Sequence, residues 1–176
     1  MMRASALLAA AGAVAYLAVM AYSGALPQRA QHVKFEARGL LVEEPRRVES
    51  VVLSRSGTTR TFVRDGGRWQ EGGRALAEPA AAALEEAVKF MHTSAPVRSI
   101  ALKDVDAKDA SGYGLAPPRF TVRLTVGGAA VLDAGFGGAN PAGRLSYVGV
   151  IGRDQLYLLS HFVAEQWDKV FASTAP

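Results

Sequence analysis

Phe120-Thr121-Val122-Arg123-Leu124-Thr125-Val126 decides the fold class, because apolar and polar residues alternate at every step. A period of two puts Phe120, Val122, Leu124 and Val126 on one face of a strand and Thr121, Arg123 and Thr125 on the other. One face suits a core and the other suits water, which is the pattern of an antiparallel sheet. Working outward, Gly127-Gly128 turns the chain back into a second strand at residues 130–132. Residues 135–143 are glycine-rich and read as a loop. Residues 147–151 and 156–159 read as two further strands around Gly152-Arg153-Asp154. A closing helix near residues 161–171 places Phe162, Val163, Trp167, Val170 and Phe171 largely on one side.

The same order stands upstream. Val48, Val51 and Leu53, then Thr61 and Val63, read as two strands joined by Ser56-Gly57-Thr58. Asp65-Gly66-Gly67 turns the chain into a short strand bearing Trp69, and Arg55, Arg60, Arg64 and Arg68 are assigned to the solvent side or the edges. Glu78-Pro79 opens a helix, since proline is tolerated in the first turn. Ala83, Leu84, Ala87, Val88 and Met91 recur at helical spacing, Glu85 and Lys89 sit four apart where they can pair, and Pro96 ends the run. Residues 97–102 continue extended, and residues 104–118 form an irregular connector. Strands, helix, strands, helix predicts an α+β fold: antiparallel meander sheets with two helices on one face, and a loose internal duplication.

Composition narrows the chemistry. The chain has 176 residues, 49% of them hydrophobic and 20% charged, which suits a single folded domain with a substantial core. It has no cysteine, which excludes disulfide scaffolds, thiolate metal sites and a cysteine nucleophile. Arginine outnumbers lysine by 15 to 5, and eight of the arginines fall in residues 38–74 against five acids. Such a half could face anionic headgroups or an acidic partner, or simply be a solvated surface. Nucleic acid is a poor fit, because no basic motif interleaved with aromatics is present.

The amino-terminal segment carries the reading of location. Residues 4–22 are uncharged, and as a helix they would reach roughly 28 Å, close to the hydrocarbon thickness of a bilayer. Two readings compete: a transmembrane anchor, and a cleaved signal peptide ending at Ser23-Gly24-Ala25. The run exceeds the usual apolar length of a signal, so the anchor is the adopted reading, although alanine fills about half of it. Ala11, Ala15 and Ala18 share a helical face with Gly12 beside them. Small residues let helices approach closely in lipid, so these four are the candidate partner-binding residues, for an integral membrane protein. Arg29, Lys34 and Arg38 follow the segment, and a literal count of basic residues would keep the body in the cytoplasm. A short basic start before an apolar run is also how exported proteins begin, and export is the reading adopted. The expected organisation is a transmembrane anchor or signal segment over residues 1–23, a tether over 24–45, and an extracytoplasmic α+β domain over 46–176. The expected location is the bacterial inner membrane, single-pass, with the carboxy-terminal domain in the periplasm.

Several landmarks together resemble the bacterial family called domain of unknown function 4340. They are Trp69 after a double-glycine turn, the alanine-rich helix after it, and Tyr113-Gly114-Leu115-Ala116-Pro117-Pro118 leading into Phe120-Thr121-Val122. A glycine loop before Tyr147-Val148, and Leu156-Tyr157-Leu158-Leu159, complete the set. The resemblance spans residues 46–172 and implies an envelope domain of the kind found in auxiliary proteins near gliding-type ABC transporters. It implies no catalytic residue.

Sites for chemistry are sparse. His32, His92 and His161 have no mutual ligand spacing. Asp104, Asp106 and Asp109 fail the calcium-loop pattern, because Lys108 and Asp109 stand where a ligand and a glycine are needed. Gly135-Phe136-Gly137-Gly138 lacks the lysine-serine ending of a phosphate loop and the spacing of a dinucleotide fingerprint. No G-x-S-x-G elbow occurs, and no serine shows a base partner in sequence. No catalytic, cofactor or metal residue is therefore assigned, and no small-molecule substrate is identified. The expectation is a membrane-anchored, non-catalytic accessory or structural subunit of a membrane protein complex, in contact with the lipid bilayer. An envelope ligand-binding module for a saccharide or lipid, using residues 135–143, and an enzyme with an unrecognised site are the alternatives.

Overall fold

The computed structural model describes residues 12, 14–16, 18–20, 22, 39–105 and 109–174. The chain divides into two compact units, Met1–Glu36 and Ala37–Pro176. In the first unit the described residues are helical, and Val14, Tyr16, Val19 and Tyr22 are exposed. Among the described residues no helix is long and apolar enough to cross a membrane. This overturns the transmembrane anchor, and with it the expectation of a single-pass inner-membrane protein. Length and lack of charge suggested a span; the helical positions described there, residues 12, 14–16, 18–20 and 22, do not make one.

The second unit is built on one sheet. In chain order its elements are β1 (Ser50–Arg55), β2 (Thr58–Asp65), β3 (Arg68–Glu71), β4 (Arg74–Ala75), α1 (Glu78–Thr93) and β5 (Arg98–Ala101). There follow α2 (Asp109–Gly112), β6 (Phe120–Val126), β7 (Ala129–Ala139), β8 (Leu145–Val150), β9 (Gln155–Ser160) and α3 (His161–Ser173). The nine strands stand in the order β4-β3-β2-β1-β6-β7-β8-β9-β5, and every pairing is antiparallel. The α+β expectation of separate meander sheets behind a transmembrane helix is corrected accordingly: the body is one large antiparallel sheet with few helices. The cause is the seam between β1 and β6, where Val51 faces Leu124 and Leu53 faces Val122. Both strands are apolar on the same face, so joining them makes one continuous core surface instead of two exposed edges.

That face is buried. Val51, Leu53, Phe62, Trp69, Phe120, Val122, Leu124, Leu132, Ala134, Phe136 and Val148 share one cluster with Leu84, Ala87, Val88 and Met91 of α1 and with Val163, Ala164, Trp167 and Val170 of α3. Burying side chains of this size stabilises by about 1.5–3 kcal/mol each before chain entropy is set against it. Phe120 stacks on Phe136 with ring centroids 4.6 Å apart.

Three local features depart from the sequence reading. Residues 39–42, read as the end of a tether, pack onto the body instead, with Leu40 and Leu41 buried in the core. Their backbone closes the end of α1, with Gly39 N donating to His92 O and Leu41 N to Met91 O, both at 2.9 Å. These carbonyls belong to the last turn of a helix, which has no internal donors for them. Residues 135–139, expected as a loop, complete β7. The glycines serve packing there: a Cβ at Gly137 would collide with Tyr113 O, and one at Gly135 would stand 3.3 Å from Pro118. The register shifts between Phe136 and Ala139, so Gly137 and Gly138 form a bulge under the connector. Finally, Arg60 and Arg64 lie on the helix-covered face, not on the solvent side. Arg60 pairs side-on with Glu71 at 2.7 and 2.6 Å. Arg64 Nη2 and Trp69 Nε1 both donate to Glu85 Oε2, at 2.7 and 2.9 Å.

Candidate functional site

The seam between β1 and β6 also borders a cavity. Where β1 ends and β6 begins, the β1–β2 turn and the Pro117-Pro118 stretch stand apart and leave an open cleft of about 660 Å3. Ser54, Arg55, Ser56, Gly57, Pro117, Pro118, Arg119, Phe120 and Thr121 line it. The turn is tight, with Ser56 at φ 50° and Gly57 at φ 81°, so this rim is set by backbone geometry that glycine tolerates best.

Two arginines converge here on one carboxylate. Arg55 Nη1 donates to Asp168 Oδ1 at 3.0 Å, from β1 to α3. Arg119 Nη2 stands 3.2 Å from Asp168 Oδ2. That second contact is an ion pair without hydrogen-bond alignment, for Arg119 Nε and Nη2 are covered by the protein and have no hydrogen-bond partner. Each guanidinium also lies over a ring, Arg55 at 5.3 Å from the Phe171 centroid and Arg119 at 5.0 Å from that of Phe120. An unfilled guanidinium fork is costly, since a covered donor loses its water and gains nothing in return.

A second cavity of about 310 Å3 adjoins the first, and Pro118 and Thr121 border both. It lies on the sheet face opposite α1 and α3. Gly135 and Gly149 form its floor, and Leu102, Leu115, Ile151 and Leu156 are among its walls. Ile151 and Leu102 are exposed large apolar residues at this site. The connector holds the cavity in shape: Tyr113 packs on Tyr147 with centroids 4.5 Å apart, and Gly138 N donates to Tyr113 O at 2.8 Å.

The candidate partner-binding residues, the histidines and the aspartates singled out in sequence do not line either cavity where they are described. Gly12, Ala15 and Ala18 are exposed helical positions, and nothing stands within 4 Å of a Cβ added at Gly12; Ala11 lies outside the described residues. His32 and Asp106 also lie outside them. His92 Nδ1 is 3.1 Å from Leu41 O. Asp104 closes a 3-10 turn and Asp109 opens α2. No group of three or more His, Cys, Asp or Glu that could hold a metal stands among the described residues. Gly135 does line the apolar cavity, as floor and not as a loop.

One pair escaped the sequence reading. Ser146 Oγ lies 2.8 Å from His161 Nδ1, a serine–imidazole contact of the kind that activates nucleophiles. Ser146 is only 1% exposed, and neither residue lines any of the cavities above. The pair ties β8 to the first turn of α3, and a substrate carbonyl has no space beside it. Fifteen residues separate the two positions in the chain, and β8–β9 pairing brings them together, which local spacing does not reveal.

Comparisons with known proteins add no relative: no protein-family model matches the chain, and neither a curated protein nor a solved structure is significantly similar to it.

Proposed function

We propose that the protein is a non-catalytic binding module that serves a larger assembly as an accessory subunit. The observation that carries this is how its reactive side chains are employed. His92 meets a backbone carbonyl, and His161 meets a buried serine. Glu71, Glu85, Asp133 and Asp168 each pair with arginine. An active site needs a nucleophile, a proton carrier and room for the reacting atom in one place, and these contacts spend such groups on holding elements together. A ligand-binding role is the second reading, favoured by the paired cavities at the β1–β6 seam.

The test has two arms. Native separation after mild extraction from the source cells should place the chain in an assembly larger than its 18.6 kDa. Purified protein should show no turnover of model esters, amides or phosphoesters above that of Ser146→Ala. Turnover that Ser146→Ala removes, or a chain that migrates only as a free monomer, would contradict the proposal.

A further inference from the structure

We infer that the free edge of β5 is an interface between two copies of this chain, paired antiparallel about a two-fold axis at Ile100. β5 stands at one margin of the sheet and β4 at the other. β4 has two residues, too few to template a partner, whereas β5 has four, Arg98–Ala101. The ladder fixes which backbone groups of β5 are free. Leu102 N donates to Asp154 O at 3.0 Å, in step with the pairing of Ile100 with Leu156 and of Arg98 with Leu158. Hydrogen-bonded positions alternate along an antiparallel strand, so the N–H and C=O of Ser99 and the N–H of Ala101 point away from β9. Among the described residues no backbone hydrogen bond outside the ladder takes them up. A cleft of about 650 Å3, lined by Ala101, Leu102, Lys103, Asp154, Gln155 and Tyr157, leaves room beside the strand.

A second copy is the occupant these residues fit. With Ile100 on the axis, Ala101 N–H of each copy faces Ser99 C=O of the other. Ile100 lies opposite Leu156, on the sheet face away from α1 and α3, and Arg98 shares that face by its period of two. There Ile100 meets its own counterpart. The aliphatic stem of Arg98 lies against Leu102 of the second copy, a side chain 47% exposed in the single chain. Its guanidinium then reaches just beyond Leu102, where Asp104 closes the 3-10 turn. Within one chain neither Arg98 nor Asp104 forms a salt bridge among the described residues. A charge on an edge strand ordinarily deters pairing. Here each charge finds its opposite in the second copy, and the two-fold axis makes the contact twice. Each copy uses β5 once, so the association stops at a dimer.

Sedimentation velocity of the purified full chain over a concentration series tests this. One short strand makes a small interface, so the dimer should form at about 10–100 μM and dissociate below about 1 μM. Ala101→Pro removes the N–H that faces the second copy. Ala101 has φ −65°, which proline adopts, so this variant should lose the dimer and keep the denaturation midpoint of the monomer. Arg98→Glu should weaken the dimer about tenfold, because both ion pairs become like-charge contacts. Arg98→Glu combined with Asp104→Arg should restore it. If Ala101→Pro does not fold, the charge exchange carries the test. The inference fails if the unmodified chain stays monomeric throughout the series, if folded Ala101→Pro dimerises as the unmodified chain does, or if the combined exchange is as weak as Arg98→Glu alone. A purified chain that stays monomeric would leave the accessory role standing, since that role is read from association with other proteins in cell extracts.

Discussion

Trp167 of α3 is fully buried in the core, yet its indole Nε1 has no hydrogen-bond partner. Its worth to the fold is therefore its volume and not its polarity. Trp167→Phe removes the orphaned donor with only part of the ring, so its cost should stay within about 1.5 kcal/mol. Trp167→Ala leaves a large cavity and should cost about 3–5 kcal/mol. Chemical denaturation of the two variants checks both, and equal losses would show that the N–H matters more than the ring. The arginines teach a related lesson. Arg55, Arg60 and Arg64 were expected toward solvent because a charged side chain in an alternating strand is ordinarily outside. The parity of β2 puts Arg60 and Arg64 beside Phe62, and their partners Glu71 and Glu85 come from another strand and from α1. Nothing within residues 58–65 announces those partners. Arg119 was invisible for the same reason, since Asp168 lies in α3, far along the chain.

At the scale of elements, the short segment before β1 is the part most dependent on one small residue. A Cβ at Gly39 would meet the backbone of Met91 and His92 at the end of α1. Gly39→Ala should therefore lift residues 39–42 from the helix end, expose Leu40 and Leu41, and free the carbonyl that Arg153 Nη2 holds at 2.8 Å. The expected loss is about 2–4 kcal/mol, on the order of two partly lost leucine burials. Denaturant midpoints report it, with Leu41→Ala as the reference; an unchanged midpoint would mean that this segment adds no stability. The elements themselves were unevenly legible. The alternation of residues 120–126 and the helical spacing around Leu84 and Met91 are local signals, and both stretches adopt the structure those signals describe. The glycine run at 135–138 looked like a loop because glycine weakens a strand. It is strand because the connector needs close backbone approach there, a requirement written in residues 113–118 and not in the run.

For the body spanning Ala37–Pro176, topology matters more than any element. β5 follows α1 yet pairs with β9 at the far edge, and β1 pairs with β6 across more than sixty residues of chain. Such pairings depend on register between distant segments, which composition and period do not encode. The uncharged amino-terminal run suggested a membrane span, and among the described residues no helix is long and apolar enough to make one. The seam between β1 and β6 joins two meanders into one core and opens the cavity where Arg55 and Arg119 meet Asp168. Residue-resolved hydrogen exchange under native conditions tests that seam directly. The amides of residues 50–55 and 120–126 should exchange together, with protection near the global unfolding free energy and well above that of the edge strands β4 and β5. Exchange of residues 50–55 at edge-strand rates, or in a separate step from residues 120–126, would contradict a continuous nine-stranded sheet.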